Sequence, residues 1–212
     1  MLRFNFVSML LIALLPNFGA AQESKQSEKT VAEISFSGQA FVTESGNQTM
    51  TIAQNLVKGY TYMSERVGIW GFAYAEKGYL SSTAGLFYDF TDYFEIGVAG
   101  GAETILEDDG LHHVYGRGAV AVFIGTDKLF IETYYENGAS KEDWYEVDAM
   151  WRPSNRFGMG VLAQKGVGFG PRVLVQPLKQ IPFEVFVAPY MYDQDTKKGN
   201  MLFGGQLVFR RK

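Results

Sequence analysis

The chain has 212 residues, a formal net charge of -4, no cysteine and two histidines. Without cysteine there is no disulfide scaffold, thiolate zinc site or cysteine nucleophile, and the acidic balance argues against a nucleic-acid partner. With 47% hydrophobic residues and a mean hydropathy near zero, neither wholesale disorder nor a polytopic helical membrane protein fits.

The chain opens MLRFNFVSMLLIALLPNFGAAQES. One arginine, Arg3, precedes an apolar run from Phe6 to Leu15, then Pro16 and the small residues Gly19, Ala20 and Ala21. This is the layout of a secretory signal peptide over residues 1–21, with cleavage after Ala21. Residues 22–30 (QESKQSEKT) read as a polar tail. The remaining 31–212 read as one domain, and no later stretch approaches the ~20 apolar residues of a membrane helix.

From Val31 onward the dominant period is two. Ala32, Ile34, Phe36, Gly38, Ala40 and Val42 share one face; Glu33, Ser35, Ser37, Gln39 and Thr43 share the other. Successive side chains of a strand point to opposite faces, so the segment has an oily and a polar side. The pattern recurs near 51–63, 67–75, 79–90, 93–102, 112–124, 128–136, 144–152, 156–165, 169–176, 183–191 and 200–209. Twelve strands are expected, or ten should the second and third segments merge with their neighbours. Val67 to Ala75 is apolar or small on both faces, so its register is not readable. Segment lengths cluster near the ~9–11 residues a tilted strand needs to cross a bilayer. Short links such as Glu65-Arg66 and Thr91-Asp92 are expected to alternate with longer charged ones at 103–111, 137–143 and 193–199. Pro189 falls inside a strand segment, where the missing N–H requires a bulge or an early end.

Alternation by itself does not say which face is inside. The oily faces carry large groups: Tyr145, Val147, Ala149 and Trp151, then Phe157, Met159, Val161 and Ala163. Aromatics recur near strand ends, at Tyr88, Phe90, Phe94, Tyr145, Trp151, Phe157 and Phe209, which suits an interfacial girdle. The opposite faces hold acids and bases together, several with glycine nearby. With its export signal, alternation, link lengths and aromatic placement, the chain resembles the bacterial outer-membrane β-barrel class over Val31 to Phe209. The resemblance implies an all-β, antiparallel, up-and-down transmembrane barrel with both termini periplasmic, covered by outer-membrane lipid. Such barrels finish on a C-terminal aromatic, whereas here Phe209 is followed by Arg210, Arg211 and Lys212.

The expected function is a small porin-like channel passing polar solutes, or a structural surface barrel, with a mixed-charge lumen. The expected lumen residues are Arg117, Glu132, Glu146, Asp148, Arg152, Arg156, Arg172 and Glu184. Arg117 is expected to face Glu132, and Glu132 to face Glu146 or Asp148. Two alternatives stand beside this. A secreted soluble barrel would bury the oily faces around a small apolar ligand. An outer-membrane hydrolase would use the loop Glu107-Asp108-Asp109-Gly110-Leu111-His112-His113, where a carboxylate and a histidine could activate water. No cofactor, metal or nucleic acid is expected.

Overall fold

The computed structural model describes residues 32–45, 48–107, 110–126, 128–138, 143–193 and 197–211. The expected signal peptide and polar tail lie outside these residues. Twelve strands follow in chain order: β1 (Ala32–Ser45), β2 (Gln48–Tyr62), β3 (Val67–Glu76), β4 (Tyr79–Thr91), β5 (Phe94–Glu107) and β6 (Gly110–Gly125). The second half holds β7 (Leu129–Gly138), β8 (Trp144–Ser154), β9 (Phe157–Gln164), β10 (Gly168–Val175), β11 (Phe183–Asp193) and β12 (Lys198–Arg211). Each strand pairs antiparallel with its sequence neighbour, and β12 returns to β1 to close the ring. Closure leaves no unpaired edge, the condition a sheet must meet in lipid, where free N–H and C=O groups have no water.

The seam between β1 and β12 pairs Ala32 with Arg211 and continues to Val42 opposite Met201. Arg210 Nε donates to Glu33 Oε2 at 2.7 Å across it. The arginine that follows the last aromatic thus ties the two terminal strands together.

β3 pairs with β2 along nearly all of its own length, from Gln54 opposite Glu76 to Tyr62 opposite Gly68, so the count is twelve and not ten. β3 is unreadable by alternation because its inner face is itself apolar: Trp70, Phe72 and Tyr74 point inside and are buried. Pro189 sits at the expected irregularity. The register of β11 against β12 shifts between Ala188 and Met191, and that of β10 against β11 between Phe169 and Val173.

The alternation of link lengths does not hold. Residues expected in long links continue the ladders instead: Glu103 pairs with Tyr115 and Ile105 with His113, and only 108–109 separate β5 from β6. Glu103 does not stop the strand, because it points to the interior and pairs there with Arg117. The longest link among the described residues, 176–182, lies at the end that carries the termini. It is held by Gln176 Nε2, which donates to the carbonyls of Leu178 and Ile181 at 3.2 and 3.0 Å.

Candidate functional site

Which side chains point outward decides what surrounds the molecule. In β9, Gly158, Leu162 and Gln164 are buried while Met159 and Val161 are exposed. The same sorting runs through β4 to β12. Their outward positions between the strand ends carry no Asp, Glu, Lys or Arg. Leu86, Val98, Val120, Ile131, Val161, Val185 and Phe203 are instead exposed. Exposed aromatics gather near both strand ends: Tyr88, Phe90, Trp151 and Phe209 toward the termini, and Tyr135, Tyr145, Phe169 and Tyr190 toward the other end. This barrel has its polarity reversed. A soluble barrel would present the charges outward, whereas lipid would exclude them.

The interior is filled. Lys58 Nζ reaches Glu146 Oε1 at 2.8 Å, joining β2 to β8, which stand half-way round the ring from each other. Gln39 Nε2 donates to Gln54 Oε1 at 2.8 Å and to Gln164 Oε1 at 3.4 Å, and Gln164 Nε2 donates to Gln54 Oε1 at 3.4 Å. These three amides, from β1, β2 and β9, lock a second bridge. Two apolar clusters occupy much of the remaining space. One gathers Met150, Leu162, Leu174, Phe186, Met191 and Leu202; the other gathers Leu56, Trp70, Phe72, Phe87 and Tyr134. The lumen is therefore not a continuous charged duct. Its charges lie between and beside two oily cores.

Most of the residues expected in the lumen are inside, and Glu132 faces Asp148 as expected, but Arg117 has another partner. Arg117 does not face Glu132. Its Cα partner in β7 is Gly138, so its guanidinium meets Glu136, two residues away on the same face, while Glu132 lies opposite Phe123. Arg117 Nε donates to Glu136 Oε2 at 2.9 Å, and its Nη1 donates to Glu103 and to the Tyr79 hydroxyl. Glu132 and Asp148 are directly opposite each other, a like-charge juxtaposition that cations resolve: Lys58 lies 3.8 Å from Glu132, and Arg172 pairs with Asp148. Arg152 forks onto Glu184 with both contacts at 3.4 Å. Arg156 corrects the expectation. It is exposed beside the β8–β9 turn, and its guanidinium donates to the carbonyls of Gln176 and Pro177 at 3.3 and 2.9 Å. A strand face ends where the turn begins, so an even-numbered residue at 156 no longer shares the lumen side.

Two participants escape a reading of the sequence alone. Glu103 falls where gathering charges suggest a loop. Lys58 draws no notice there, although a lone lysine between Leu56 and Tyr60 on one face of β2 is a usable signal. Two interior glycines make room for rings. Gly97 lies under the Trp70 indole, where an added Cβ would fall 2.5 Å from Nε1, and Gly204 lies under Phe186. Gly138 makes room for an ion pair instead: an added Cβ there would fall 2.5 Å from Arg117 Nη1 and 2.7 Å from Glu103 Oε2. Trp70 Nε1 donates to the Leu86 carbonyl at 3.1 Å, so it has little freedom to retreat. Gly97→Ala is expected to lower stability by about 1–3 kcal/mol, as overpacking does, measured by urea unfolding of the reconstituted barrel.

Toward the end opposite the termini the interior opens into a pocket of about 290 Å³. Its walls are the rings of Phe72, Tyr74, Tyr79 and Trp144. Phe72 and Trp144 stack at 5.6 Å, and Tyr74 and Tyr79 meet edge to face at 5.9 Å. Glu76, Asp143 and Lys165, at the β3–β4, β7–β8 and β9–β10 links, stand at the rim, with Arg117, Glu136 and Ser81 deeper. Ser81 is 1% exposed and its Oγ has no hydrogen-bond partner among the described residues. The strands position these groups by register: Tyr74 stands opposite Ser81. Of the segment expected as an acidic and histidine loop, Glu107 ends β5 and 110–113 begin β6. His113 is exposed with its ring against Tyr115 at 5.9 Å, and 108–109 lie outside the described residues. No group of three metal-ligating side chains occurs among the described residues.

No protein-family model and no curated protein matches the chain. Solved structures similar to it include the translocator domain of the autotransporter NalP from Neisseria meningitidis, at 12% identity over 88% of this chain and 90% of that one, with a TM-score of 0.35. OmpF of Salmonella typhi, solved in complex with daunomycin, aligns at 10% identity over 84% and 97%, with a TM-score of 0.36. Ail, the attachment invasion locus protein of Yersinia pestis, aligns at 12% over 84% and 97%, with a TM-score of 0.27. Likenesses this distant transfer no residue roles, and the reversed polarity rests on the chain's own outward face.

Proposed function

We propose that the chain is a small outer-membrane barrel of a Gram-negative bacterium that acts as a closed surface scaffold rather than an open diffusion pore. Lipid covers the outward face, and the end with the pocket faces outward from the cell. The observation that carries the closed reading is the Lys58–Glu146 bridge across the full ring at 2.8 Å, supported by the glutamine bridge and the two apolar clusters. A filled interior withholds the continuous water path that conduction needs.

The test is reconstitution in a planar bilayer, alongside fractionation of cells and gels run boiled and unboiled. Heat-modifiable migration from the outer-membrane fraction with no steady conductance is expected. Stepwise conductance would overturn the closed reading and favour a narrow channel for small polar solutes. That second reading draws on the side chains of Lys58 and Glu132, which keep 30% and 44% of their surface open and so mark part of the charged interior as wet. Recovery in the periplasm or medium without detergent would overturn the membrane assignment altogether.

A further inference from the structure

We propose that the pocket opposite the termini binds a small protonated organic amine with an aromatic or similarly flat apolar body. Three observations converge on this class.

The first is shape and lining. A cavity of about 290 Å³ sits at the lower edge of the ~300–1,000 Å³ usual for small-molecule sites. Four rings wall it: Phe72, Tyr74, Tyr79 and Trp144. Lys58 already stands over the Phe72 ring and Arg117 over the Tyr79 ring, so Tyr74 and Trp144 are the faces left to attract a further cation, while the area of all four suits an apolar body.

The second is charge. Arg117 is taken up by Glu103 and Glu136 together, so the guanidinium at the pocket is already neutralised twice over. The charged residues that line the pocket are Glu76, Glu136 and Asp143 against Arg117 and Lys165. With Glu103 behind Arg117, acids outnumber bases in and under the lining, and the local field favours a cation over an anion.

The third is an unpartnered polar group. Ser81 Oγ is buried without a hydrogen-bond partner among the described residues while Ser81 lines the pocket. A buried hydroxyl left unmade costs free energy that an incoming polar group recovers, whether it donates or accepts, so Ser81 marks a polar contact while the rings and the charge select the cation. An ammonium N–H provides such a contact, which a quaternary ammonium lacks.

The ligand's ring would lie against Phe72 and Trp144, with its N–H on Ser81 Oγ and its charge toward the Glu136 side. This inference goes beyond the scaffold reading. It rests on the same closed interior, but its readout is a titration and not a conductance, so each can fail alone.

The experiment is isothermal titration of the full barrel in detergent micelles with three probes of one shape: phenethylammonium, neutral 2-phenylethanol and anionic phenylacetate. Saturable binding of phenethylammonium is expected, at least tenfold tighter than either other probe. Trp144→Leu should weaken it at least tenfold through loss of ring contact, and Ser81→Ala about threefold to tenfold, the value of one hydrogen bond. Both variants are checked for unchanged heat-modifiable migration, which keeps a folding defect apart from a binding defect. Partition into the detergent is the same for Trp144→Leu and the parent chain, so it cancels in the comparison. Equal affinity for the alcohol or the carboxylate, uptake that does not saturate, or affinity unchanged in both variants would overturn the proposal.

Discussion

Arg117→Met is expected to destabilise the folded barrel by about 3–5 kcal/mol, the cost of removing one partner from a buried ion pair. The Arg117 side chain is 1% exposed, and its acceptors Glu103 and Glu136 are 0% and 3% exposed. Methionine roughly preserves the volume, so a cavity contributes little. The loss comes from two carboxylates left inside the barrel without a cation. The Tyr79 hydroxyl, which donates to Glu103 at 2.6 Å, and the Tyr134 hydroxyl, which donates to Glu136 at 2.5 Å, offset only part of it. The measurement is urea unfolding in lipid vesicles followed by tryptophan fluorescence. Adding Glu103→Gln and Glu136→Gln to the variant should restore much of the loss, because the uncompensated charge is then gone. An unchanged midpoint for Arg117→Met alone would mean that the arginine is not buried between the two acids.

Val161→Arg has an expected effect of about 2–4 kcal/mol destabilisation in a bilayer, the cost of a cation on the lipid face near the midplane. Val161 lies mid-strand in β9, between Ala149 and Pro171 of its neighbours, and is 52% exposed. The prediction separates the two environments by size. On a soluble barrel an arginine at so exposed a position is worth within about ±0.5 kcal/mol. The comparison is made in the same vesicles, with Lys128→Ala as a control at an exposed position beside the β6–β7 link. A loss within the control's range would place Val161 against water and reverse the assignment of inside and outside.

Strand existence and facing were legible in the sequence because lipid and interior are sorted by a period of two along nearly every strand. Thus spacing alone places Tyr145, Val147, Ala149 and Trp151 on one side, and Glu146, Asp148 and Arg152 on the other. β3 fails this test for a physical reason. Its inner residues are large and apolar because they build a core inside the barrel, so both faces look oily. The expected long loops fail because charge reads as a strand breaker, whereas Glu103 is drawn inside by Arg117.

The pocket was not legible at all. Phe72, Tyr74, Tyr79, Ser81 and Trp144 come from three strands, and nothing local distinguishes a ring that walls a cavity from one that fills a core. Ion-pair choice was equally invisible. Arg117 selects Glu136 over Glu132 because inter-strand register moves the meeting point by whole residue pairs, and every slip of two keeps the same face while changing the partner.

By itself the sequence determined an all-β chain of transverse strands with an apolar side and a polar side, because side-chain direction follows from backbone geometry alone. Tertiary structure decided that the ring closes at twelve, that Lys58 finds Glu146 across it, and that a ring-walled pocket opens at one end. Those outcomes depend on distances between residues far apart in the chain, which are set when β12 meets β1 and the interior side chains compete for one enclosed volume.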